Sequence, residues 1–158
     1  MINTANLKRI LIVVFASIAL TACASSKKSG KLQGDVYTGT DTIEYLATGV
    51  ADRVFFASNK STLTTAARDT LRKQAAWMRK KSKLTFTIEG HADERGTREY
   101  NLAIGERRAN AVKDYLMTYG ISSNRLSVIS YGKERPVNSG SNPLAWSQNR
   151  RSVTIKAN

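Results

Sequence analysis

Leu84-Thr-Phe-Thr-Ile-Glu89, followed by Gly90-His-Ala-Asp-Glu-Arg-Gly96, decides the fold. Leu84, Phe86 and Ile88 alternate with Thr85, Thr87 and Glu89, the period of a strand with one buried and one wet face. The polar run after it reads as a loop. From Thr97 or Tyr100 the period lengthens, and at ~100° per residue Leu102, Ala109 and Leu116 fall within about 40° of one another. That stripe predicts a helix to Tyr119, with Gly120 as its left-handed cap.

Towards the N-terminus, Val54 and Phe56 alternate with Arg53 and Phe55 in a short strand. Leu63-Thr64-Thr65 then opens a helix whose apolar stripe is Ala67, Leu71, Ala75 and Met78, with Arg68, Arg72, Arg79 and Lys80 elsewhere. Towards the C-terminus, Leu126, Val128 and Ile129 mark a strand ending at Tyr131-Gly132. Asn142 before Pro143 suits the N-cap and first position of a short helix. Val153 and Ile155 alternate with Thr154 and Lys156 in a last strand. The order β-α-β-α-β-(α)-β predicts an α/β fold, an α+β sandwich with helices on one face of a mixed four-stranded sheet whose other face is wet.

The chain has 158 residues, which fits one modest domain. A hydrophobic content of 41% is enough for a core. One Cys and one His exclude an internal disulfide, a multi-cysteine metal site and a His cluster, so neither metal nor cofactor is expected. The formal charge of +13 predicts attraction to a polyanion.

The N-terminus selects the compartment. Lys8 and Arg9 precede an apolar run, Ile10 to Leu20, of 11 residues. That is too short for a bilayer core, which needs about 20. A basic start, a short apolar stretch and small residues make an export signal. It ends at Leu20-Thr21-Ala22-Cys23, a tetrapeptide that resembles the bacterial lipoprotein box and holds the only Cys. Lipidation of Cys23 (palmitate among its acyl chains) would anchor the chain firmly, because two acyl chains suffice. Ala24 stands where that resemblance would place Asp for inner-membrane retention, so the outer membrane is expected, with the domain facing the periplasm. Export separates the chain from cytosolic nucleic acid, and no nucleic-acid partner is expected.

From Ala24 to about Thr48 the chain is rich in Ser, Lys, Gly and Thr and poor in large apolar residues. Such a segment buries too little to offset its ordering entropy and is predicted to be a flexible tether. The expected organisation is a signal peptide over 1–22, the lipidated Cys23 and tether over 23–52, and one domain over 53–158.

Two opposite charges stand out near the central loop. Asp93 lies after a strand and Arg108 on the next helix, at the border of the apolar stripe, with Arg107 roughly opposite and solvated. The pair fits an internal salt bridge. The less ordinary reading is a clamp for a zwitterion, in which a carboxylate holds an ammonium and a guanidinium grips a carboxylate. A mid-helix Gly105 costs roughly 1 kcal/mol against Ala, and ligand approach or close helix–sheet packing would each account for it. Catalysis is not expected. The only Cys is committed to lipid, Asp93 and Glu94 are neighbours whose carboxylates diverge, and His91 reads as a hydrogen-bonded structural residue. Trp77 and Trp146 fit partial core burial better than partner anchoring, and Arg79 to Lys83 fits a solvated helix end.

Glu89-Gly-His-Ala-Asp-Glu-Arg-Gly-Thr97, Tyr100-Asn101, Gly105-Glu-Arg-Arg-Ala-Asn-Ala-Val-Lys113, Ser130-Tyr-Gly-Lys-Glu134 and Asn149-Arg-Arg151 together resemble the OmpA-like domain family, in its peptidoglycan-associated lipoprotein branch. The resemblance runs from about Arg53 to the C-terminus. It implies non-covalent binding of the meso-diaminopimelate in the peptidoglycan stem peptide, and partnership with TolB and the Tol complex, which serves envelope integrity and cell division. The family's ligand-gripping Asp and Arg fall on Asp93 and Arg108. Its apolar and backbone contacts fall on Phe56, Ala57, Ala92 and Ile104, with Asn101 beside them. One departure is Ala57, where the family usually has Asp. Two function classes follow: a wall-binding tether, and an envelope protein–protein module with wall binding secondary.

Overall fold

The structure, a computed structural model, describes residues 32–157. The export signal, the lipoprotein box and Cys23 lie outside the described residues. Two short hairpins come first, β1 (Leu32–Gln33) with β2 (Val36–Tyr37) and β3 (Tyr45–Ala47) with β4 (Val50–Ala51). Then follow β5 (Arg53–Phe55), α1 (Thr65–Lys80), β6 (Phe86–His91), α2 (Arg98–Thr118), a 3-10 turn (Ser123–Arg125), β7 (Leu126–Gly132), α3 (Pro143–Asn149) and β8 (Arg151–Lys156). The main sheet has the order β5-β8-β6-β7, with β6 and β7 parallel and β8 antiparallel to both of its neighbours. It is the mixed four-stranded sheet expected from the periodicity.

Local chemistry sets the boundaries. The hydroxyl of Thr64 accepts from the N–H of Ala67 at the start of α1, that of Thr97 from Tyr100 at the start of α2, and the Asn142 side chain from Ala145 at the start of α3. Gly120, at φ 82°, closes α2 in the left-handed region. Ala67, Leu71, Ala75 and Met78 are all buried, and they pack with Val54, Phe56, Phe86, Ile88, Val112 and Leu116 into one core between the helices and the sheet.

In β8 the register inverts the simple apolar pattern. Thr154 pairs with Ile88, and its hydroxyl bonds Oε1 of Gln74 on α1 at 3.1 Å, so the polar member of the alternation faces the helices. Gln74 is itself fully buried and donates to the carbonyl of Ala51. Thr154 and Gln74 thus satisfy each other and the backbone, which is why the core tolerates them.

Two expectations are corrected. The tether does not extend to residue 52. Tyr37 and Leu46 are buried, and Tyr37 packs edge-on to Phe55 with ring centroids 4.7 Å apart. Nor is the second face of the sheet wet throughout. On the β5 and β8 half, Arg53, Phe55, Arg151 and Val153 are buried, with Tyr37 of the first hairpin against Phe55 and Arg53 paired with Asp52, whereas Ile129 and Ile155 further along remain exposed.

Candidate functional site

The site lies where β6 ends. Ala92 extends the pairing by donating its N–H to the carbonyl of Gly132 at 2.7 Å, and the chain then turns out into the loop that carries Asp93. Gly90 on β6 faces Gly105 on α2, and a Cβ on Gly90 would collide with the Gly105 carbonyl oxygen. A Cβ on Gly105 would collide with Oγ of Ser130, which bonds the carbonyl of Leu102 at 2.7 Å. Close helix–sheet packing therefore accounts for both glycines.

That contact also places Arg108. Seating α2 on the sheet through Gly105 rotates its inner face to Ile104, Arg108 and Val112, with Leu102 only half-buried. Arg108 is 1% exposed rather than at the border, while Arg107 is solvated as expected. Its Nε donates to the carbonyl of Lys60 at 3.0 Å, Nη1 to that of His91 at 2.8 Å and Nη2 to that of Ala57 at 3.2 Å. The Phe56 ring lies 5.4 Å from its Cζ. Among the described residues no carboxylate is within ion-pair distance of Arg108. Burial first, and the charge of Arg150 second, push its pKa down to about 10.

Asp93 is saturated from another direction. Oδ1 accepts from the backbone N–H and Nε of Arg95, both at 3.1 Å, and Oδ2 accepts from Nη2 of Arg95 at 2.8 Å and Nη1 of Arg150 at 3.1 Å. Burial alone would raise this carboxyl, but the hydrogen bonds from Arg95 and Arg150 hold it below its ordinary range. The internal Asp93–Arg108 salt bridge is thus absent among the described residues.

Asp93 and Arg108 nevertheless line one cavity, together with Ala92, Asn101, Ile104, Tyr100, Asn59 and Arg95. It has about 10 Å³ of open space, room for one water molecule. Asn101 holds the loop by donating to the Arg95 carbonyl at 2.9 Å. Phe56 and Ala57 do not line the cavity; they support Arg108 with a ring face and a carbonyl. A carbonyl is available from any residue, so Ala57 meets this need as well as Asp does.

Arg150 and Arg95 are the residues that sequence reasoning missed. Arg150 bonds the carbonyls of Phe56 and Asp35 as well as Asp93, tying β5, the first hairpin and the loop together. Its signal was present in Asn149-Arg-Arg151, a motif whose individual roles no local spacing reveals. Asn59, at φ 53°, occupies the left-handed region that Asn tolerates best. His91 is buried and bonded through Nε2 to Glu89 at 3.1 Å, not to Asp93. No group of three or more His, Cys, Asp or Glu that could hold a metal ion occurs among the described residues.

A larger groove of about 400 Å³ lies between residues 33–43, β5 and the start of α1. Its one charged lining residue, Arg53, is already paired with Asp52, so it lacks the charge arrangement of the smaller cavity.

An α/β sandwich with charged loop and helix residues at one end of a mixed sheet is the architecture of the OmpA family, whose profile matches residues 55–150. The chain belongs to that family. Its relatives include the peptidoglycan-associated lipoproteins of Brucella melitensis, 45% identical over 92% of this chain and 90% of that one, and of Pasteurella multocida, 37% identical over 94% and 97%. Among solved structures, the peptidoglycan-associated lipoprotein from Burkholderia pseudomallei is 33% identical, with a TM-score of 0.65 over 67% of this chain and 90% of that one. The C-terminal domain of Helicobacter pylori MotB shares the fold at 19% identity and a TM-score of 0.63, covering 68% and 84%.

Proposed function

We propose that this protein is an outer-membrane lipoprotein, anchored through Cys23, whose periplasmic domain binds peptidoglycan without covalent attachment. Its ligand is the meso-diaminopimelate of the stem peptide, and its partners are TolB and the Tol complex. The names of the relatives support the wall and lipid parts of this reading. The Tol partnership rests on the family resemblance of the motifs.

One observation supports the ligand assignment: Arg108 is a buried cation whose hydrogen bonds among the described residues all go to neutral carbonyls, and it lines the same cavity as Asp93. A buried charge needs an opposite one. Asp93 is paired with Arg95 and Arg150, and Arg150 also lies 4.0 Å from the Asp35 carboxylate, so among the described residues lining this cavity Arg108 is the cation left without a carboxylate partner. Arg108 gives three of its five N–H groups to carbonyls, leaving two for a ligand carboxylate. Asp93 takes the ammonium beside it. The distal end of diaminopimelate presents both groups on one carbon. No step of bond making is required, and no catalytic role is assigned to His91 or Glu94.

Sedimentation with purified sacculi tests the assignment. The wild-type chain is expected to co-sediment, and Asp93→Ala and Arg108→Ala each to release it, since losing one partner of a buried charge pair costs about 2–5 kcal/mol. Unchanged co-sedimentation of both variants would overturn it.

A further inference from the structure

The cavity between Asp93 and Arg108 is too small for an amino-acid head group, and one side chain stands in its mouth. Arg95 covers both oxygens of Asp93 and is 44% exposed, whereas the other arginine on that carboxylate, Arg150, is 4% exposed and held by two further carbonyls. Arg108 is equally fixed. Among the described residues at the site, Arg95 is the cation with freedom to leave. Leaving Asp93 would not strand it, because it already has other partners: its Cζ lies 4.3 Å over the ring of Trp146, and Nη2 also donates to Oγ of Ser58 at 3.0 Å.

We propose that Arg95 is a specificity-determining residue, whose guanidinium occupies the place of the ligand amine on Asp93 and yields it to a ligand that brings a carboxylate with its amine. This rests on the reading of the site given above and extends it to a residue without an assigned role. Binding is then an exchange. A bare amine must displace a two-point guanidinium–carboxylate pair and leaves Arg95 without its hydrogen-bonded carboxylate. A zwitterionic head group displaces the same pair but returns a carboxylate at the mouth, where the freed fork can share it with Arg108. Discrimination therefore comes from the cost of evicting Arg95 as well as from the grip of Arg108.

The backbone of Arg95 is held by Asn101, and its side chain is at the surface, so Arg95→Ala removes the plug without removing a core contact. The test compares two tripeptides, L-Ala-γ-D-Glu-meso-diaminopimelate and L-Ala-γ-D-Glu-L-Lys, titrated calorimetrically into the full chain in detergent. The second ligand keeps the terminal amine and lacks the carboxylate beside it. The wild-type chain is expected to prefer the first by about tenfold or more, the scale of one charge-assisted contact. In Arg95→Ala the Lys peptide is expected to bind more tightly than it does to wild type, and the preference to shrink by about threefold or more. Trp146 emission is expected to respond to wild-type binding, because Arg95 lies over its ring and shifts when it leaves Asp93, and should no longer respond in the variant. An unchanged preference, or equal weakening of both ligands, would overturn the proposal. Asp93→Ala separates the two levels. If it leaves both affinities at wild-type values, the site itself is misassigned; if it abolishes them while Arg95→Ala preserves the preference, only the role of Arg95 fails.

Discussion

In the proposed site Arg108 is the residue on which recognition would depend, because folding has buried a guanidinium and bonded it to carbonyls, with no carboxylate in ion-pair distance among the described residues. Lys in its place keeps the charge and loses the planar fork. Arg108→Lys is expected to reduce sacculus binding at least about tenfold and to lower stability by about 1–3 kcal/mol, because carbonyls lose their donors. Co-sedimentation and urea unfolding check the two effects separately, and wild-type binding by the Lys variant would show that point charge alone suffices. In the proposed site Asp93 sets the pH limit. Its carboxyl is held below the ordinary range by Arg95 and Arg150, so its contribution is present above the unfolded value of about 3.9 and is lost as pH falls through the lower folded value. Sacculus binding should thus persist from neutral pH to about pH 4 and disappear below it. Loss between pH 7 and 5 would point to a different titrating group. Asp93 and Arg108 were legible in the sequence as a pair of opposite charges on a loop and the following helix. The partners of Asp93 were not, since Arg150 lies 57 positions away and reaches it only through the fold.

Among the elements, α2 is placed by the contact of Gly105 with Gly90. Ala at an exposed helical Gly would stabilise by about 1 kcal/mol, but here the added methyl meets Ser130 and the β6 backbone. Overpacking of this kind costs about 1–3 kcal/mol. Gly105→Ala should therefore lower the thermal midpoint, and a raised midpoint would show that the helix is not seated on the strand. The same contact explains why helical phase alone put Arg108 at a border: the wheel centred the stripe on Leu102, Ala109 and Leu116, and it cannot register which face a glycine allows closest to the sheet. The hairpins of residues 32–52 were hidden for a related reason. Strands of two or three residues carry no readable period, and Tyr37 and Leu46 reveal themselves only by what they touch. Leu46→Ala is expected to cost about 2–4 kcal/mol in equilibrium unfolding, as a core position does, whereas a tether residue would cost nothing.

For the whole molecule, the docked hairpins change the reach of the proposed anchor. From Cys23 to Leu32 is nine residue steps, at most about 30 Å when extended, in place of the much longer tether read from composition. The domain would then work close to the membrane that holds it, with the wall brought to it rather than sought at a distance. The layer order of the fold was legible because its helices and central strands are long and periodic, and they place Asp93 and Arg108 at one end of the sheet. The decisive observation is a structure of the complex with L-Ala-γ-D-Glu-meso-diaminopimelate. The distal amine is expected within hydrogen-bonding distance of the Asp93 carboxylate and the carboxylate beside it on Arg108. A ligand seated elsewhere, in the groove beside α1 for instance, with Arg95 still on Asp93 and Arg108 holding only its three carbonyls, would contradict the clamp.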